Sequence, residues 1–121
     1  MIIELAFTGT PVIDMPRARA FYEGILGLKP GMISAGGMWV EYNIGAATFG
    51  IGCYGEMWKP SKDGTCVAFE VDDLDAEIGR LRALGVNIQI DPMDTPICRF
   101  AAITDPDGNK ILIHKRKPGL T

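Results

Sequence analysis

The stretch Asp73-Leu74-Asp75-Ala76-Glu77-Ile78-Gly79-Arg80-Leu81-Arg82-Ala83-Leu84-Gly85-Val86 decides the fold, because a segment of the same plan stands earlier, from Asp14 to Leu28. In the later copy Asp73 is a good helix N-cap, Leu74, Ile78, Leu81 and Leu84 form an apolar stripe at helical spacing, and Gly85 supplies the stop. In the earlier copy Asp14 caps, Pro16 is tolerated in the first turn, Ala18, Phe21, Tyr22 and Ile25 recur at helical spacing, and Gly27 stops the helix. Asp14 matches Asp73 at an offset of 59, and Leu26-Gly27-Leu28 matches Leu84-Gly85-Val86 at an offset of 58.

Working outward, each helix is framed by short apolar runs that read as strands. Ile2 to Thr8 precedes the first helix, and Met32 to Ser34, Met38 to Ile44 and Ala47 to Tyr54 follow it, separated by Gly36-Gly37 and Gly45. Thr65 to Val71 precedes the second, and Val86 to Ile90, Ile97 to Thr104 and Lys110 to His114 follow it. The last two are joined by the tight-turn sequence Asp105-Pro106-Asp107-Gly108-Asn109. Each half is therefore βαβββ. The polar, breaker-rich stretch from 56 to 64 joins them, so the expected organisation is one domain over 1–121, with module 1 at about 1–55 and module 2 at about 65–121. One such half has an apolar sheet face it cannot bury alone, so the two sheets are expected to curve toward each other or toward a second chain and leave a cleft.

Composition narrows the partners. At 121 residues, with 47% hydrophobic and 22% charged residues, the chain can bury a core. A net charge of −3, with basic residues dense only at Lys115-Arg116-Lys117, argues against nucleic acid. No apolar run approaches the roughly 20 residues that span a bilayer, and Met1-Ile2-Ile3-Glu4 lacks a secretory pattern, which gives no membrane partner and a cytoplasmic address. Three widely spaced cysteines, Cys53, Cys66 and Cys98, suit reduced thiols. No GxGxxG follows a strand, so a nucleotide cofactor is not expected.

Val12-Ile13-Asp14 with Arg17-Ala18-Arg19-Ala20-Phe21-Tyr22 and Leu26-Gly27-Leu28, then Val71-Asp72-Asp73-Leu74, then Asp105-Pro106-Asp107-Gly108-Asn109, form a series of signposts in order over nearly the whole chain. In these the sequence resembles the vicinal oxygen chelate superfamily, which holds glyoxalases, bleomycin-resistance proteins and extradiol dioxygenases. The resemblance implies an α+β fold in which two βαβββ modules form a U-shaped, partly open β-barrel with helices outside, a ligand on the concave side, and often a homodimer. It leaves the chemistry open, because members include metal-dependent isomerases, lyases and dioxygenases as well as metal-free proteins that sequester drugs.

In metal-dependent relatives four strand positions carry His or Glu. Carried over, those positions fall here on Phe7, near Gly50, on Cys66 and on Leu112, and none is His, Asp or Glu. The single histidine, His114, shares the strand phase of Leu112, so it is expected at the cleft mouth as a contact or proton-shuttling residue, though a strand-end His beside a basic tail needs no role. Metal is therefore not expected, and no other cofactor is implied.

With these replacements the cleft becomes apolar, and roomier at Gly50. Trp39, Tyr42, Tyr54, Trp58 and Phe100 lie on or near the lining strands and offer stacking or cation–π surface. Trp58, in a polar connection, reads as a lid or dimer contact. Glu41 and Glu70 fall inside strands, and an inward Glu70 needs a partner such as Arg99, His114 or a ligand cation. The expected lining is thus Phe7, Trp39, Glu41, Gly50, Tyr54, Trp58, Cys66, Glu70, Arg99, Leu112 and His114, with no catalytic residue assigned. The reading is a metal-independent binder of a small organic ligand, sequestering an aromatic or cationic compound. Its rivals are a lyase, isomerase or dioxygenase of the same fold with a relocated or absent metal, and a regulatory module whose cleft its own side chains fill.

Overall fold

Both helices begin with the same local chemistry. In a computed structural model, which describes residues 1–119, the Asp14 carboxylate accepts the Arg17 N–H at 3.0 Å and the Asp73 carboxylate accepts the Ala76 N–H at 3.0 Å. Each satisfies a donor that the first turn leaves unpaired. Gly27 (φ 77°) and Gly85 (φ 81°) end them in the left-handed region that a side chain disfavours.

The copies differ inside the helix. Gly27 lies thirteen positions after Asp14, and Gly85 lies twelve positions after Asp73. The extra residue is absorbed by widening: α1 (Met15–Arg19) runs on as a π-helix over Ala20–Ile25, and the Leu26 N–H reaches the Phe21 carbonyl, five residues back. The helix α2 (Leu74–Ala83) has no such turn.

The chain divides into two compact units, Met1–Pro60 and Ser61–Thr121. In the first, β1 (Thr8–Pro11), β2 (Pro30–Ser34), β3 (Trp39–Ile44) and β4 (Ala47–Gly52) form a sheet in the order β1-β4-β3-β2. In the second, β5 (Val67–Glu70), β6 (Ile88–Asp94), β7 (Cys98–Thr104) and β8 (Lys110–Arg116) form a sheet in the order β5-β8-β7-β6. In each the first strand pairs parallel to the fourth and the other pairings are antiparallel. The class is α+β with two open, mixed sheets, and the repeat read in the sequence is a repeat of topology. Among the described residues no helix is long and apolar enough to cross a membrane.

Two strands differ most from expectation. The first begins at Thr8 rather than Ile2, and Ile2, Ile3 and Leu5 are more than 80% exposed. Thr8 faces Phe49 and β4 starts only at Ala47, so residues before Ala6 run past the end of their neighbour and have no ladder to join. The strand expected over Val86 to Ile90 extends instead to Asp94, through Pro92, because β6 is an edge strand on which a missing N–H is tolerated.

The first core lies between α1, its π-turn and one face of the first sheet, where Val12, Ala18, Phe21, Tyr22, Val40, Tyr42, Phe49 and Ile51 are buried. Tyr22 packs its ring on Phe49 (5.3 Å) and Tyr42 (6.4 Å). The fully buried Tyr42 donates its hydroxyl to Glu23 Oε2 at 2.8 Å, and Arg19 grips the same carboxylate at 2.6 Å. The Arg19 guanidinium, against the opposing effect of burial and with help from the Tyr42 hydroxyl, holds the Glu23 carboxyl below its usual range, while burial and that carboxylate push the Tyr42 phenol up. A depressed carboxyl contributes stability above its unfolded titration range and loses it as pH falls through the folded value. Tyr42→Phe is expected to cost about 1 kcal/mol at neutral pH and to make acid unfolding of the first unit begin at higher pH, measured by urea titration across an acid series.

In the second unit α2 packs on β6, β7 and β8, burying Leu74, Ile78 and Leu81 with Ala101, Ile103, Ile111 and Ile113. The turn between β7 and β8 is built on the buried Asp105, whose carboxylate accepts the N–H groups of Asp107 and Asn109, both at 2.9 Å, and the Asn109 side-chain amide at 2.8 Å. Gly108, at φ 84°, completes the reversal.

Candidate functional site

On the first sheet, strand alternation sends Val40 and Tyr42 into the core and Trp39 and Glu41 to the opposite face. The register lays glycines beside them: Gly9 faces Gly50, Gly50 faces Glu41, and Gly52 faces Trp39. Three positions on this face therefore carry no side chain, and four aromatic rings lie over them.

Trp39 occupies the space above Gly50, where an added Cβ would collide with its Cζ2 and Cη2. A Cβ at Gly52 would lie 2.8 Å from Tyr54, 2.9 Å from Trp58 and 3.0 Å from Trp39, and one at Gly9 would lie 2.8 Å from Trp58. Trp39 stacks with Trp58 at 6.5 Å between centroids and meets Phe7 edge-on at 5.1 Å. The Trp39 indole N–H donates to Glu41 Oε2 at 2.8 Å, turning the ring's polar edge toward a carboxylate. Phe7 is 48% exposed, and Trp39, Tyr54, Trp58 and Glu41 are half-buried, so the rings keep outward surface.

Phe7, Trp39, Glu41, Gly50, Tyr54 and Trp58 thus come together in one unit. The expectation of extra room at Gly50 is corrected, because the Trp39 ring fills it. Trp58, read as a lid or dimer contact for want of a core to enter, folds back onto Gly9 and Gly52. Gly9 and Gly52, not singled out in the sequence, complete the floor; the Gly50-Ile51-Gly52 alternation within β4 was the signal for them.

In the second unit the matching face carries Ala68 and Glu70 on β5, Leu112 and His114 on β8, and Phe100 on β7, with Cys66 two residues before Ala68. Glu70 and His114 are register partners, and His114 Nδ1 lies 2.6 Å from Glu70 Oε1. The Arg116 backbone N–H donates to Glu70 Oε2 at 2.7 Å. Burial draws the Glu70 carboxyl upward, but the hydrogen bonds from Arg116 and His114 outweigh it and leave the group below its usual range. Arg99 does not join this group. It alternates with Phe100, which puts it on the α2 side of the sheet, where it clamps Asp75 with two hydrogen bonds of 2.9 and 3.2 Å.

The donor set does not fit the divalent metal of the metal-dependent relatives. Phe7, Gly50 and Leu112 have no side-chain lone pair to offer, Cys66 supplies one thiol, and among the described residues no group of three or more His, Cys, Asp or Glu is placed to hold a metal ion.

The family model for the Glyoxalase/Bleomycin resistance protein/Dioxygenase superfamily matches residues 4–113. CFP32 of Mycobacterium bovis, a glyoxylase by name, is 34% identical over 104 residues, covering 84% of this chain and 40% of its own length. The anthracycline biosynthesis protein DauV of Streptomyces sp. strain C5 is 33% identical over 100 residues, covering 78% of this chain and 35% of its own. The chain thus spans about two fifths or less of the length of these relatives. Among solved structures, TnmS3, an antibiotic-binding protein from Streptomyces sp. CB03234, superposes with a TM-score of 0.78 at 26% identity, covering 96% of this chain and 98% of its own.

Proposed function

The chain belongs to the Glyoxalase/Bleomycin resistance protein/Dioxygenase superfamily, and from that membership we propose that it binds a planar aromatic or cationic small molecule without a metal, as a sequestering protein. The observation that carries this reading is the ring cluster of Phe7, Trp39, Tyr54 and Trp58 over Gly9, Gly50 and Gly52, at the face where metal-dependent relatives would place ligands. Exposed edges and faces of large rings give a planar ligand dispersion and stacking surface, and the Glu41 carboxylate beside Trp39 favours a positive substituent. The names of two relatives agree, since TnmS3 is described as antibiotic-binding and DauV as an anthracycline biosynthesis protein. Metal independence rests on the donor chemistry of Phe7, Gly50, Cys66 and Leu112.

The reading takes modules at about 1–55 and 65–121 as halves of one ligand-binding domain, working as a cytoplasmic homodimer. Exposed Met32 and Ile33 on the edge strand β2 support association, and the free thiols Cys53, Cys66 and Cys98 support a reducing compartment.

Both tryptophans of the chain lie in the cluster, so intrinsic indole emission reports on this site alone. Titration with an anthracycline and with ethidium in chelator-containing buffer is expected to quench it saturably. Trp39→Ala is expected to weaken binding about tenfold, since a lost stacking partner costs about 1–3 kcal/mol. Emission unchanged by either compound would sink the binding reading and leave the rings as self-filling packing. Quenching that needs an added transition metal would favour the enzyme of the same fold.

A further inference from the structure

We infer that Glu70 and His114 form a second site, on the second sheet, at which His114 Nε2 accepts the acidic hydroxyl of a phenol-type ligand. It goes beyond the stacking reading and uses none of the residues of the ring cluster.

The pair is built into the register, with Glu70 on β5 directly beside His114 on β8. Both carboxylate oxygens are engaged, Oε1 by His114 Nδ1 at 2.6 Å and Oε2 by the Arg116 amide at 2.7 Å, so the carboxylate is held from two directions. An ionised carboxylate only accepts, so the proton of the neutral imidazole sits on Nδ1 and Nε2 is left with its lone pair. Among the described residues no hydrogen bond is made to Nε2. A carboxylate that fixes the tautomer of a histidine and leaves its far nitrogen open is the arrangement by which proteins aim an imidazole at an exchangeable proton.

The surroundings narrow the ligand. His114 is flanked by Phe100, its register partner on β7, and by Leu112 two residues before it, both half-buried. Those side chains give an aromatic ring something to lie on while its hydroxyl reaches the imidazole. The charged groups on this face include Glu70, the Arg116 guanidinium at 3.8 Å from it and, four residues before His114 at the start of β8, Lys110; Arg99 and Lys115 alternate to the other side. On transfer the phenol O–H bond breaks and an Nε2–H bond forms. The electron pair stays on oxygen, and the resulting imidazolium sits between phenolate and the Glu70 carboxylate with its charge compensated on both sides.

The chain has a single histidine, so its imidazole nitrogens give one pair of ¹⁵N resonances. The labelled protein is titrated with 4-nitrophenol and, separately, with 4-nitroanisole, which has the same ring without the O–H. 4-Nitrophenol is expected to move the Nε2 resonance and raise the phenolate absorbance, with 4-nitroanisole doing neither. His114→Gln and Glu70→Ala should each weaken the 4-nitrophenol response about tenfold or more, as expected for loss of a charge-assisted hydrogen bond. Equal shifts from the two compounds, or a histidine resonance unmoved by 4-nitrophenol, would overturn the proposal using the unaltered protein alone. The readout is on histidine nitrogen and not on indole emission, so this site and the stacking site fail separately.

Discussion

Gly50→Ala dislodges Trp39 and is expected to destabilise the first unit by about 1–3 kcal/mol, the range for forcing extra volume into a packed site. The reason lies in the register. Gly50 sits on β4, between Gly9 on β1 and Glu41 on β3, and its missing side chain is the space that the Trp39 indole occupies. β4 is paired on both sides, so the backbone cannot retreat, and the ring must leave instead. Its departure also breaks the indole hydrogen bond to Glu41 and the stack on Trp58. Two measurements follow this. Denaturant unfolding should show the lost stability, and near-ultraviolet circular dichroism should lose the signal of the coupled indoles. An unchanged near-ultraviolet spectrum would mean that the rings are not seated on the glycine floor. If the cluster binds ligand, the same variant weakens quenching by an anthracycline at least as strongly as Trp39→Ala, because it displaces the ring against Trp58 and Phe7 as well.

The second large effect is expected at Asp105. Its carboxylate is buried and accepts hydrogen bonds from the amides of Asp107 and Asn109 and from the Asn109 side chain. Asp105→Ala leaves those donors in a turn that the protein covers, and the expected loss is about 3 kcal/mol, since hydrogen bonds to a charged group carry about 1.5–3 kcal/mol and buried orphaned donors add their own desolvation. Asp105→Asn keeps one acceptor oxygen and should fall between the two. The turn joins β7 to β8, which carry Phe100 and His114, so hydrogen exchange should quicken along both strands in the alanine variant. A loss below about 0.5 kcal/mol, the usual range for a surface substitution, would show that the turn is held by Gly108 and strand pairing alone.

Much of the architecture was legible because it is written in local chemistry. Asp14 and Asp73 announce helix starts through their own side chains, and Gly27 and Gly85 announce stops through backbone freedom, so both are visible one residue at a time. The repeat was legible for the same reason, but the π-turn was not, since the offset changing from 59 to 58 shows one extra residue without showing that the helix absorbs it. Strand ends were less legible. Ile2 to Phe7 is as apolar as any strand in the chain, yet a strand exists only where a neighbour offers a ladder, and β4 starts too late to pair with its first residues.

The candidate site divides along the same line. That Phe7, Gly50, Cys66 and Leu112 cannot assemble the usual metal donors follows from residue type alone, and period-two alternation sufficed to put His114 in phase with Leu112 and Glu70 in phase with Ala68. Which side chain fills an empty place, and which charge finds which partner, depends on strands far apart in sequence. Trp39 covers Gly50, Trp58 returns over Gly9, Glu70 takes His114 and the Arg116 amide, and Arg99 turns to Asp75 on α2. Cross-strand register set the Trp39 and Glu70 pairings, while the path of the connection set Trp58 and helix packing set Arg99; register is a property of the assembled sheet, decided by how many residues each turn and bulge spends before the next strand begins.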